Sequence, residues 1–272
     1  SSTGNTLTNS GTVTYGAGIL NNAATLSSTG PKYFTITNAA QTNLNPTTGF
    51  SLSFWIKYAS NPTTDAHAWG VGQKYSTAGQ ASYSMSIGNA ANSNEVYFIF
   101  TSTGAADVST NYSEWDSAAD FASAALANTW IHVVLVVNAG SQSVTLYRNG
   151  STFTISKRAG TATSIFNGTS PFEIGRTTPL GDYGNYTIDE YGFWKNYQLT
   201  GAEVTELYNS GTPLPLFAPT VTTPTVTSIT STGATLGANV TSDGGGITAR
   251  GTCWGTSSAP LTNCTAEGGT AT

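Results

Sequence analysis

The segment FSLSFWIKY, Phe50 to Tyr58, places Phe50, Leu52, Phe54 and Ile56 at every second position among mostly polar neighbours. A period of two puts alternate side chains on one face of an extended chain, so the segment predicts a strand with one face in a core. YSMSIG and EVYFIF follow in the same style. WIHVVLVVN, Trp130 to Asn138, is apolar on both faces, which predicts a strand in the middle of a sandwich. SVTLYRNGSTFTIS then gives two alternating runs around Asn149-Gly150, a dipeptide that tolerates the positive φ angles of a tight hairpin. These runs define an all-β chain built from antiparallel strands.

One helix interrupts the pattern. Thr200 with Glu203 three positions later forms a capping box, Val204, Leu207 and Tyr208 share a helical face, and Gly211 can terminate it. Pro213, Pro215 and Pro219 punctuate the next stretch, which has neither helical nor strand periodicity and predicts a stiff boundary between about residues 212 and 223. The expected organisation is a domain over 1–217, a Pro/Thr-rich linker over 218–223 and a second piece over 224–272. That last piece reads as three short strands with Ser-Thr-Gly and Asp-Gly-Gly-Gly turns, roughly half of a sandwich of about 100 residues.

Composition narrows the partners. Only 8% of the 272 residues are charged and the net charge is −5 with nine Lys and Arg, so no basic surface exists for phosphates or for an anionic lipid face. Nucleic acid and membrane insertion are therefore excluded as expected partners, and no run of about 18 apolar residues occurs. The first residues, SSTGNTLTNSG, lack the regions of a signal peptide, so a secreted form would have lost one already or begins downstream of it. Cys253 and Cys264, close in sequence in a β-rich segment without a nearby His, suit a local disulfide and an oxidising compartment.

FSLSFWIK, the Trp130-Ile131-His132 strand opening, VTLYRNG, FEIGR and IDEYGFWKNYQLTGAEVTELYNSG occur in an order that resembles the laminin G-like, concanavalin A-like jelly roll of bacterial surface proteins. The resemblance covers residues 1–217 and implies a concanavalin A-like β-sandwich of two packed antiparallel sheets, with a strand from about Ile188 to Trp194 before the helix. Residues 224–272 resemble the start of a bacterial fibronectin type III-like repeat, a second, partial Ig-like sandwich. The first domain also lacks the opening strand usual before an SSTGN-like turn, so both ends look cut from a longer parent.

The fold family includes glucanases, which need paired carboxylates on one groove. Asp189 and Glu190 are adjacent and so face opposite sides of a strand, Glu114 and Asp116 share a face in a loop-like stretch, and the Glu-x-Asp-x-x-Glu pattern of laminarinase-type enzymes is absent. Catalysis is not expected. His67 and His132 stand at no metal-ligand spacing, and His132, in a strand with apolar neighbours, reads as a satisfied core or sheet-surface histidine. Calcium is the cofactor the resemblance implies, through oxygen ligands to which Asp189 or Glu190 would contribute. Against it, Ala24 to Ile36 carries serines, a threonine and Lys32 where relatives often have an Asp-Gly turn.

Sugar recognition needs exposed rings beside amides and carboxylates. Tyr112, Trp115 and Asp116 in one expected loop, and Asp182, Tyr183 and Tyr186 in another, are the candidate glycan-binding residues; the competing reading is that their rings cap the sandwich ends. Six Asn-x-Ser/Thr sequons, at Asn111, Asn149, Asn167, Asn185, Asn239 and Asn263, are near chance in so Ser-, Thr- and Asn-rich a chain. The sequence thus points to a non-catalytic extracellular or cell-surface adhesion module binding a glycan or a protein. The alternative is a structural subunit of a surface filament or layer, self-assembling by strand complementation of its incomplete C-terminal sandwich. A glycoside hydrolase is the third reading.

Overall fold

The computed structural model describes residues 5–41, 43–65, 67–76, 79–88, 94–178, 181–213, 220–223, 225–242, 250–255 and 264–267. The chain divides into two units, Ser1–Leu214 and Pro215–Thr272. In the first unit the strands are β1 (Thr8–Ser10), β2 (Thr14–Ala17), β3 (Asn22–Thr25), β4 (Tyr33–Ile36), β5 (Gly49–Lys57), β6 (Trp69–Lys74), β7 (Tyr83–Ile87), β8 (Val96–Thr101) and β9 (Tyr112–Ser117). They continue with β10 (Ile131–Asn138), β11 (Ser143–Arg148), β12 (Ser151–Phe153), β13 (Ile155–Gly160), β14 (Phe172–Ile174), β15 (Arg176–Thr177), β16 (Asp182–Tyr183) and β17 (Thr187–Lys195). Helix α1 is a single turn, Pro62–Asp65, and α2 runs Gly201–Tyr208.

Two antiparallel sheets form the sandwich. One has the order β1-β4-β14-β6-β7-β8-β9-β13, the other β12-β11-β10-β5-β17-β3-β2, and β15 and β16 pair as a separate hairpin. In β5 Phe50, Leu52, Phe54 and Ile56 join the same core as Val133, Leu135 and Val137 of β10, and the opposite face, with Ser51, Ser53 and Trp55, is buried as well rather than open to solvent. Strand β10 lies inside its sheet between β11 and β5, and its two apolar faces are covered by the main core on one side and by the cluster of Val134, Leu199 and Val204 on the other. The hairpin β11–β12 turns on Asn149 (φ 52°) and Gly150 (φ 76°), both left-handed. Asn149 Oδ1 also accepts from the His132 amide at 2.9 Å, which ties the turn back to β10.

The outward face of β10 explains the helix. Val134 and Leu199 pack with Val204 of α2, with Val136, Tyr147, Trp194 and Leu207 around them. Thr200 and Glu203 cap one another reciprocally, and the helix ends at Asn209 in the left-handed conformation (φ 41°), two residues before the expected Gly211. Asparagine tolerates that geometry almost as glycine does, so the stop comes earlier. The Tyr208 ring stacks on Trp55 and His132, and the buried His132 imidazole shares a hydrogen bond with Ser53 Oγ at 2.8 Å. Burial pulls the His132 pKa down to about 4.

In the second unit β18 (Thr220–Val221) pairs with β21 (Val240–Ser242), β19 (Thr225–Thr227) with β20 (Thr235–Gly237), and β22 (Arg250–Cys253) with β23 (Cys264–Glu267). Cys253 and Cys264 stand opposite one another in the last pair and are disulfide-bonded. Linker positions 218 and 219, the Asp-Gly-Gly-Gly turn and Asn263 lie outside the described residues.

Candidate functional site

In an antiparallel sheet, residues directly opposite one another project from the same face. Register therefore traces one row across the eight-stranded sheet: Thr35 opposes Glu173, Glu173 opposes Gln73, Gln73 opposes Ser84, Ser84 opposes Ile99, and Ile99 opposes Glu114. The neighbouring row, Met85, Phe98 and Trp115, belongs to the core. The first row is thus the outer face, and apart from Ile99 it is polar where the inner one is apolar.

At its β4–β14–β6 end the hairpin β15–β16 lies on this face. Gly70 permits that approach, since a Cβ there would stand 2.0 Å from the Arg176 carbonyl oxygen. Beneath the hairpin, Glu173 Oε2 accepts from Gln73 Nε2 at 2.9 Å and from Thr178 Oγ1 at 2.7 Å, while Oε1 accepts from Arg176 at 3.1 Å. Glu173 and Gln73 are buried, so the network is held rigidly. Above it, the Arg176 guanidinium carbon lies 5.5 Å from the centre of the Tyr33 ring and 5.8 Å from that of Tyr183, and the two rings are 5.8 Å apart. Burial alone disfavours charge on Arg176, but Glu173, Tyr183 and Tyr33 more than offset this and raise its pKa. Asp182, beside Tyr183, accepts the Ala68 amide at 3.2 Å. Two half-exposed rings, a fixed guanidinium and oriented carboxylates are what a sugar face and its hydroxyls require.

At the β8–β9–β13 end of the same face Tyr97 donates to Glu114 at 2.8 Å, and Arg158 reaches Glu114 at 3.6 Å and Asp116 at 3.4 Å. Burial first, then hydrogen bonding to Glu114, pushes the Tyr97 hydroxyl upward. Burial also raises Asp116, with Arg158 opposing and Glu95 and Glu114 adding to it.

The sequence-derived candidates separate into those on this face and those inside. Tyr112, Trp115 and Asp116 are not in a loop but in β9, whose exposure alternates residue by residue. Tyr112 and Asp116 face outward. Trp115 turns inward, 3% exposed and stacked on Phe100, so it is core and not a ligand platform. Asp182 and Tyr183 lie in the hairpin at the first cluster. Tyr186 is 2% exposed, packs on Trp69 and donates its hydroxyl to the Gly70 carbonyl at 2.6 Å, and so is excluded from any open site. Tyr33, Gln73, Glu173, Arg176 and Thr178 were missed because they come from separate strands; the one local signal was Glu173 and Arg176, an i,i+3 charge pair within FEIGR.

The proposed calcium ligands fit poorly. Asp189 Oδ2 accepts the amides of Ile19 and Leu20 at 3.0 and 3.1 Å, and Oδ1 accepts that of Glu190 at 2.9 Å. Burial raises the Asp189 pKa and these amides oppose it, so the carboxylate is satisfied by positive N–H dipoles that repel a cation. The loop sits directly on it, since a Cβ on Gly18 would lie 2.2 Å from Oδ2. Glu190 stands in the bulged part of β17 with φ 46°. Among the described residues no group of three or more His, Cys, Asp or Glu side chains is placed to hold a metal.

Residues 28–205 match the laminin G-like family described as the concanavalin A-like lectin/glucanases superfamily, and the chain belongs to that family. Solved structures share the fold at low identity. The binding domain of Paraclostridial Mosquitocidal Protein 1 superposes with a TM-score of 0.54 at 16% identity over 94% of this chain and 62% of its own. The receptor binding domain of botulinum neurotoxin mosaic serotype C/D gives 0.53 at 16% over 75% and 45%. Botulinum neurotoxin type C, whose cell entry depends on interaction with two ganglioside molecules, gives 0.52 at 18% over 75% and 46%. The chain thus spans about half of the toxin structures. No curated protein matches the sequence. No helix among the described residues is long and apolar enough to cross a membrane.

Proposed function

We propose that the chain is a non-catalytic, extracellular glycan-binding module whose first unit uses the outer face of its eight-stranded sheet. The observation that carries this is the Tyr33–Arg176–Tyr183 cluster seated on the buried Glu173–Gln73–Thr178 network. A rigid base under paired rings suits a ligand that offers an apolar sugar face and a fixed set of hydroxyls. A family that includes lectins supports a glycan as the class of partner.

Carboxylate spacing supports a non-catalytic role. Glu173 and Glu114 are four strands apart, about 19 Å, well beyond the roughly 5–9.5 Å that glycoside hydrolysis uses. Glu114 and Asp116 do share a strand face, but Arg158 bridges them, and Ala119 occupies the third position of a Glu-x-Asp-x-x-Glu spacing. The test is a glycan array probed with the intact chain and with Tyr183→Ala. The reading expects a defined set of glycans retained by the parent and lost by the variant. Retention of nothing, or equal retention by both, overturns it.

A second reading concerns the C-terminal unit, which we take as part of a fibronectin type III-like sandwich. Val226, Ile229 and Trp254 are 53%, 74% and 50% exposed, which favours a protein partner or a further copy of the chain as their cover. Concentration-dependent sedimentation of the intact chain, abolished by Trp254→Ser, is the result expected if copies supply that cover.

A further inference from the structure

We infer that the glycan taken by this face is neutral, and that acidic sugars bearing sialic acid, uronate or sulfate are rejected. The inference rests on the glycan-binding reading and adds the chemical class of the ligand. Its basis is the charge balance along the outer face. Glu173 and Asp182 at one end, and Glu114, Asp116 and Glu95 at the other, are set against two guanidiniums, Arg176 and Arg158.

Both guanidiniums are already paired with carboxylates. Arg176 is engaged by the buried Glu173 carboxylate at 3.1 Å and covered by two tyrosine rings. Arg158 already spans two carboxylates. Lys157, the next basic residue in β13, sits opposite Trp115, which marks the inner side of the strand, and its ammonium contacts Gln142. An anionic sugar would therefore meet a face with more carboxylates than guanidiniums, both guanidiniums already paired, and like charge on the binding face is how a site rejects a competitor. A neutral sugar avoids that repulsion, and its hydroxyls can donate to the half-exposed carboxylates of Asp116 and Asp182.

Titration calorimetry of the intact chain with neutral oligosaccharides (glucan, xylan and arabinan fragments) and with sialylated, uronate and sulfated ones tests this. Neutral ligands are expected to bind tighter by about tenfold or more at low ionic strength, with the gap narrowing as salt screens the face. In Glu114→Gln/Asp116→Asn the gap is expected to fall to within about threefold. Acidic glycans binding as tightly as neutral ones overturn the charge selection while leaving glycan binding intact. If no ligand of either class binds, both this inference and the reading beneath it fail.

Discussion

Both units are Thr-, Ser- and Gly-rich and both form antiparallel strands, yet they differ in what those strands bury. In the first, Phe50, Phe54, Trp69, Phe98 and Phe172 are inaccessible between two sheets. In the second, no residue whose exposure is described is buried, and the strands among its described residues stand in three separate pairs. Two-stranded pairs are marginal by themselves, because alternation pays only when a second layer covers the apolar face. The contrast teaches that a strand pattern specifies which face is apolar, while stability comes from what packs on it.

Core truncation should break the symmetry between the units most. Phe98→Ala in the first unit is expected to cost about 3–5 kcal/mol in denaturant unfolding, whereas Val226→Ala in the second shifts the main transition by less than about 0.5 kcal/mol. Comparable losses from both would mean the second unit has a core of its own. Reduction of Cys253–Cys264 comes next. The bridge closes a short loop worth at most roughly 3 kcal/mol, and the first unit contains no cysteine. Hydrogen exchange should rise in the paired strands Arg250–Cys253 and Cys264–Glu267 and leave the midpoint of the first unit unmoved.

Acid destabilises the first unit through a buried imidazole. The native His132 imidazole titrates near 4, below its unfolded value of about 6.5, so the unfolded chain takes up the proton first. The stability this group contributes is complete above pH 6.5 and lost as pH falls towards 4, by roughly 2–3 kcal/mol. Urea midpoints of the first unit at neutral pH and near pH 4.5 should show that fall, and His132→Gln should flatten it. The smallest effect is expected at the helix cap, where Thr200→Ala removes the acceptor for the Glu203 amide and costs about 1 kcal/mol by thermal unfolding.

Much of the fold was legible because alternation and turn chemistry are local. The Asn149-Gly150 hairpin, the β5 and β10 strands and the Thr200–Glu203 cap each depend on residues within one segment. Strand β9 was not, although Tyr112 to Ser117 alternates strictly between half-exposed and buried. Its buried positions are Ser113, Trp115 and Ser117, and two serines on the inner face disguised the pattern as a polar loop. The candidate site was only partly legible for a different reason. Asp182 and Tyr183 advertise themselves in a Gly-flanked turn, but Tyr33, Gln73 and Glu173 meet only through pairing of β4, β14 and β6, which are far apart in sequence.

The central claim is that glycan is held on the outer face of the eight-stranded sheet. Amide chemical-shift mapping of the intact chain, titrated with the strongest neutral ligand from the array, addresses it most directly. The account predicts shifts concentrated at Tyr33, Gln73, Arg176, Thr178, Asp182 and Tyr183. Shifts confined to the α2 side of the sandwich, or to the second unit, would contradict it.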